Sequence, residues 1–196
     1  MNADRTTPRV AKRTLPGRNT FWLLGRTVLL LLLSTFASRG ASELENELKA
    51  AFLYNFTKFV EWPAEAFEST NAPIRFAVLG DEEFGARLKL LLKEKKAHGR
   101  SFEVQTITSG QDSKNFHIVF VPGLEARRAL PVLEVTNKRA ILTIGESDEF
   151  LGQGGIISLF FDEAQIAFEV NAEPAKKAGL EISSKLLRLA KKRRAK

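Results

Sequence analysis

Three short, mostly apolar runs, each followed by glycine or proline-glycine, constrain this chain more than any other feature. They are Ile74 to Leu79 before Gly80, His117 to Val121 before Pro122-Gly123, and Ala140 to Ile144 before Gly145; residues 102–107 read as a further strand between the first and second of them. Strands that are apolar throughout suit a sheet covered on both faces, and helical stripes separate several of them. Between the first two, Asp81 is placed to cap a helix, with Glu82 and Glu83 in its first turn and Phe84, Leu88, Leu91 and Leu92 on one side. Gly99 is expected to stop that helix. Pro131 must kink or restart the helix expected near 124–136. Ile156 to Phe161 and Ile166 to Val170 read as a hairpin, followed by a helix capped by Asn171 and closed by Gly179. A last helix starts at Ser183 or Ser184, with Leu186, Leu187 and Ala190 inward. This order predicts a three-layer α/β domain, its sheet largely parallel and flanked by helices, with an antiparallel hairpin at one edge.

Ahead of the first strand, residues 43–60 read as a helix with Leu48, Ala51, Phe52, Phe56 and Phe59 on one face. Tyr54, Thr57 and Lys58 fall outside that stripe, and Trp62-Pro63 ends the helix.

Charge divides the chain. Residues 1–40 carry a net +6, residues 41–184 a net −6, and the last twelve add seven cations and no acid. The acidic body repels a phosphate backbone, so the overall +7 does not read as nucleic-acid binding. The basic start is followed by Val28-Leu29-Leu30-Leu31-Leu32-Leu33 and then by small residues. It reads as a signal peptide over residues 1–40, cut before Ala41, with an uncleaved anchor as the alternative. Residues 41–190 then form one domain, and 191–196 a basic tail. The favoured reading of that tail is a solvated helix end. The second is weak attraction to anionic lipid.

Chemistry is sparse. The chain has no cysteine and only two histidines, His98 and His117, which removes thiolate metal sites and disulfides. Neither histidine sits as a metal ligand, no cofactor motif is present, and the glycines do not form a phosphate loop. Asp81 and Glu146 lie where strands end, the usual place for a ligand in such sheets, but they read as a cap and a solvated loop acid. With no nucleophile–base pair in view, no catalytic residue is assigned.

Three stretches together carry a resemblance: Leu48 to Pro63 ending in Phe59-Val60-Glu61-Trp62-Pro63, Gly154 to Asn171, and Ala178 to Ala190 with Ile182-Ser183-Ser184-Lys185-Leu186-Leu187. Through them residues 46–190 closely resemble the YfiR-like family of exported bacterial proteins. The resemblance implies a periplasmic α/β protein, dimeric and not an enzyme. Its best-known branch represses an inner-membrane diguanylate cyclase and so controls cyclic di-GMP and biofilm formation. A membrane sensor kinase is the other partner considered. The cysteine pairs of some members are missing, and Glu61 stands where a basic residue can precede the Trp-Pro pair. The expected partner surface joins Tyr54, Lys58, Glu61 and Trp62 to Glu181, Ser183, Ser184 and Lys185. A periplasmic small-molecule sensor is the alternative function.

Overall fold

The computed structural model describes residues 43–162 and 165–192. The expected leader and most of the basic tail lie outside them. The first helix, α1, occupies residues 43–59 and runs into a two-residue strand, β1 (Val60–Glu61). There follow β2 (Ile74–Leu79), α2 (Glu82–Leu92), β3 (Phe102–Ile107), β4 (Ile118–Val121), α3 (Ala129–Thr136), β5 (Leu142–Gly145), β6 (Ile157–Asp162), β7 (Gln165–Val170), α4 (Ala172–Lys177), β8 (Glu181–Ile182) and α5 (Ser184–Leu189).

Six strands form one sheet in the order β3-β2-β4-β5-β6-β7. Every neighbouring pair is parallel except β6 and β7, so β7 alone runs against its neighbour. The apolar run that made β4 look central does lie inside the sheet, and all four of its residues are buried. Alternate side chains divide between two cores. Phe76, Val78, Ile118, Phe120, Leu142 and Ile144 meet α1, α2 and α5 on one face, while Ala77, Leu79, Val119 and Val121 meet α3 on the other. The layers are those the sequence predicts. Among the described residues, the buried core members run from Ala50 to Leu186.

The helix ends follow local chemistry. Asp81 Oδ1 accepts from Phe84 N at 2.9 Å, and Asn171 Oδ1 accepts from Glu173 N at 3.3 Å. Pro131 sits in the first turn of α3, where a missing N–H costs no bond. Gly179, at φ 73, follows α4 in the left-handed region.

Several expectations are corrected. α2 ends at Leu92, not at Gly99. Gly99 serves a separate tight turn, Ala97 to Arg100, in which His98 (φ 50) and Gly99 (φ 77) both take positive φ. On α1 the buried stripe is Ala50, Leu53, Phe56 and Thr57, continued by Val60 of β1, while Leu48 is 46% exposed. Thr57 is buried because its hydroxyl is satisfied locally, donating to Tyr54 O at 2.6 Å. Leu187 on α5 is exposed rather than inward.

Candidate functional site

Two places deserve the test of geometry: the carboxyl ends of the parallel strands and the region where α1 ends. The strand order reverses between β2 and β4, which puts the usual ligand crevice beyond Gly80 and Pro122-Gly123. The protein fills it with its own charged side chains. Glu146 is not a solvated loop acid, as expected, but mostly buried. Its Oε2 accepts from Gly123 N at 2.7 Å, and its Oε1 meets Lys49 Nζ at 2.8 Å. Lys49 also holds Glu45 at 2.6 Å. Burial pulls the Lys49 pKa down, but the hydrogen bonds and charges of Glu146 and Glu45 outweigh it and hold the ammonium above its ordinary 10.5. Beside them Arg128 binds Glu125 at 2.7 Å and also donates to Thr108 O. Gly80 takes φ 72, which favours glycine, and a Cβ there would push the Glu125 side chain aside. Three carboxylates and two cations thus pair with one another where a substrate would sit, leaving a net −1. Among the described residues no group of acids and histidines is arranged to hold a metal ion.

The second place is built by the two shortest strands. β1 and β8 pair antiparallel, Val60 opposite Ile182 and Glu61 opposite Glu181. Ser183 N extends the contact by donating to Phe59 O at 2.8 Å. This small sheet brings the end of α1 against the start of α5, the two segments singled out in the sequence. Val60 is buried, and Glu61 and Glu181 are exposed. Directly opposed residues of an antiparallel pair project from the same face, so two carboxylates stand side by side. Neither has an ion-pair partner among the described residues. Like charges in that position cost about 0.2–1 kcal/mol.

The other expected residues divide. Tyr54 is half-buried, edge-on to Phe102 with ring centroids 6.0 Å apart, and donates to Lys96 O at 3.3 Å. Lys58 covers its ring at 4.1 Å. Lys185 lies 5.5 Å from the Phe59 ring, and Ser184 is exposed. Ser183 spends its hydroxyl on capping α5, accepting from Lys185 N at 3.2 Å. Trp62 turns inward: its half-buried ring packs on the core, and Nε1 donates to His117 O at 3.3 Å.

Behind Trp62 lies a node that sequence reasoning missed. His117 Nδ1 accepts from Arg75 N at 2.9 Å, which leaves Nε2 as the donor to Ala66 O at 2.9 Å. Phe67 stacks on the imidazole at 4.5 Å, and Arg100 covers the other ring at 3.7 Å. Protonating Nδ1 would set one N–H against another. Burial lowers the His117 pKa below 6.5, and the Arg75 and Arg100 cations lower it further against the opposing pull of the Ala66 carbonyl and Glu68. An unfolded imidazole takes up its proton as pH falls through 6.5, while the folded one stays neutral. Stability held above that value is therefore lost as the pH drops toward the depressed native pKa. Urea midpoints between about pH 7.5 and 5.5 should fall on acidification more steeply for the native chain than for His117→Gln. Parallel slopes would contradict this.

The sequence offered no clear sign of the node, because Phe67, Arg75, Arg100 and His117 meet only through tertiary contacts.

Fold and site together define a doubly wound, largely parallel α/β protein with a self-filled strand-end crevice and a small acidic two-stranded sheet on its surface. The chain belongs to the YfiR/HmsC-like family, whose model matches residues 46–191. No curated protein matches it. Among solved structures, a conserved domain protein from Vibrio cholerae O1 biovar El Tor is similar at 16% identity and TM-score 0.46, over 60% of this chain and 53% of that one. An ABC domain in complex with L-Trp from Streptococcus pneumoniae is similar at 13% identity and TM-score 0.43, over 59% and 53%. This chain spans about half the length of both.

Proposed function

We propose that this protein is a non-catalytic periplasmic regulator that binds an inner-membrane signalling protein, a diguanylate cyclase above all, and thereby sets cyclic di-GMP levels. Family membership supports the class of activity. The observation that carries the mode of action is the exposed pair Glu61 and Glu181, held opposite each other with no ion-pair partner among the described residues. A basic patch on a partner relieves that repulsion, so the pair favours association and adds salt dependence. Tyr54 and Lys58, up the same helix, and Ser184 and Lys185, beside β8, extend the surface. A regulator of this kind works by binding one state of its target more tightly than another. No helix among the described residues is long and apolar enough to cross a membrane.

The test is co-expression with a membrane diguanylate cyclase encoded beside it. Cyclic di-GMP should fall when the regulator is present and recover when Tyr54→Ala and Lys58→Glu are combined in it. Unchanged cyclic di-GMP with and without the protein would refute the reading.

A second reading, a small-molecule sensor, has one observation in its favour. A cleft of about 260 Å³ lies between α3 and α4, floored by Leu133, Ile141 and Ile156 with Lys138 and Lys177 at its mouth. Thermal stabilisation by a metabolite in the absence of any partner would favour it.

A further inference from the structure

We propose that the cleft between α3 and α4 binds an aliphatic monocarboxylate, with Lys138 and the Thr143 hydroxyl holding its carboxylate. This gives a ligand class to the cleft that favours a small-molecule sensor, and it rests on that reading rather than on which protein is regulated.

Lys138 stands where the backbone favours another residue. α3 ends at Thr136, and Asn137 follows at φ −53 and ψ 129, then Lys138 at φ 59. Arg139 N donates back to Thr136 O at 3.0 Å. These are the marks of a type II turn, whose third residue takes positive φ and is commonly glycine or asparagine. A lysine adopts that conformation only at a cost. Lys138 lines the cleft, and its ammonium has no ion-pair or hydrogen-bond partner among the described residues. Folding alone gives no reason for a cation at this position, whereas binding an anion does.

Thr143 supplies the second group. It lies on β5, lines the same cleft and is 2% exposed. Its oxygen accepts from Ile156 N at 3.2 Å, while its proton reaches no acceptor among the described residues. A buried hydroxyl that accepts without donating is one bond short, and a carboxylate oxygen supplies the acceptor. The floor of Leu133, Ile141 and Ile156 is apolar, so the rest of the ligand is hydrocarbon. A volume of about 260 Å³ lies just below the range of drug-sized sites, which keeps that hydrocarbon short. Glu134 also lines the cleft, and Lys177 is already shared with Glu173 at 3.4 Å. These acids tolerate one negative charge and oppose two, which selects a monocarboxylate over a phosphate or a dicarboxylate.

The test measures octanoate binding to the full chain by calorimetry, with octanol and octylamine as probes of equal length. Octanoate should bind about tenfold more tightly than octanol, and octylamine should not bind. Lys138→Gly should weaken octanoate binding about tenfold yet leave the melting temperature equal or higher, because glycine suits the turn better. A lysine with a structural role alone would not separate the two readouts. Thr143→Ser, which keeps the hydroxyl, should retain native affinity, and Thr143→Val should lose several-fold. Full octanoate affinity in Lys138→Gly overturns the proposal, as does equal binding of octanol or octylamine. If octanoate fails to bind while another metabolite raises the melting temperature, this ligand class falls and the sensor reading stands.

Discussion

Replacing Leu53 by alanine is expected to destabilise the protein by about 2–5 kcal/mol, and replacing Leu48 by alanine to change its stability by no more than about 0.5 kcal/mol. Both are leucines on α1. Leu53 is fully buried beside Phe56, whose ring meets Phe168 of the β7 edge at 5.0 Å, whereas Leu48 is 46% exposed. The difference measures which way the helix faces. If Leu53, Phe56 and Val60 point inward, β1 leaves the helix in register with β8, and Glu61 is delivered opposite Glu181. A helix turned so that Leu48 and Phe52 led the buried face would reverse the two costs. Urea unfolding of the two single variants distinguishes the arrangements.

The second large effect is expected at Phe150. This ring is fully buried in the turn between β5 and β6, and it lies against the α-carbons of Gly145 and Gly155. A Cβ on either glycine would overlap the ring. Phe150→Ala should therefore cost about 3–5 kcal/mol by opening a cavity. Gly145→Ala should cost about 1–3 kcal/mol for the opposite reason, overpacking. Combining Gly145→Ala with Phe150→Leu should cost less than the sum, because the smaller side chain makes room for the new methyl group. Gly145 also precedes Glu146, so the same change displaces the carboxylate that binds Gly123 N and Lys49. Neutrality of Gly145→Ala in denaturant unfolding would mean that the ring does not occupy this place.

These two regions show where the sequence is informative. The β2, β4 and β5 runs were legible because buried parallel strands need mostly apolar residues, and here they close on glycine or proline. Asp81, Asn171 and Ser183 were legible as caps because capping is local chemistry. The rotation of α1 was not, since Phe52 and Phe59 flank the buried stripe and blur its centre. β1 and β8 were invisible as strands, because two residues carry no period. That Glu146 pairs with Lys49, and His117 with Arg75 and Phe67, depends on residues far apart in the chain. Glu146 consequently looked like a free loop acid. The surface expected for a partner was chosen partly from family resemblance. The β1–β8 pairing brings its two halves together, while Trp62 turns away from the surface to bond His117.

The account turns on whether the opposed carboxylates of β1 and β8 exist to meet another protein. The most direct measurement compares the native chain with the Glu61→Gln, Glu181→Gln variant, for both urea stability and Kd for the periplasmic domain of its cognate membrane cyclase. Removing the like-charge pair should leave stability equal or raise it by up to about 1 kcal/mol. Binding should nevertheless weaken by about tenfold or more, most clearly at low salt. Unchanged affinity in a variant that folds as well as the native chain would contradict the account.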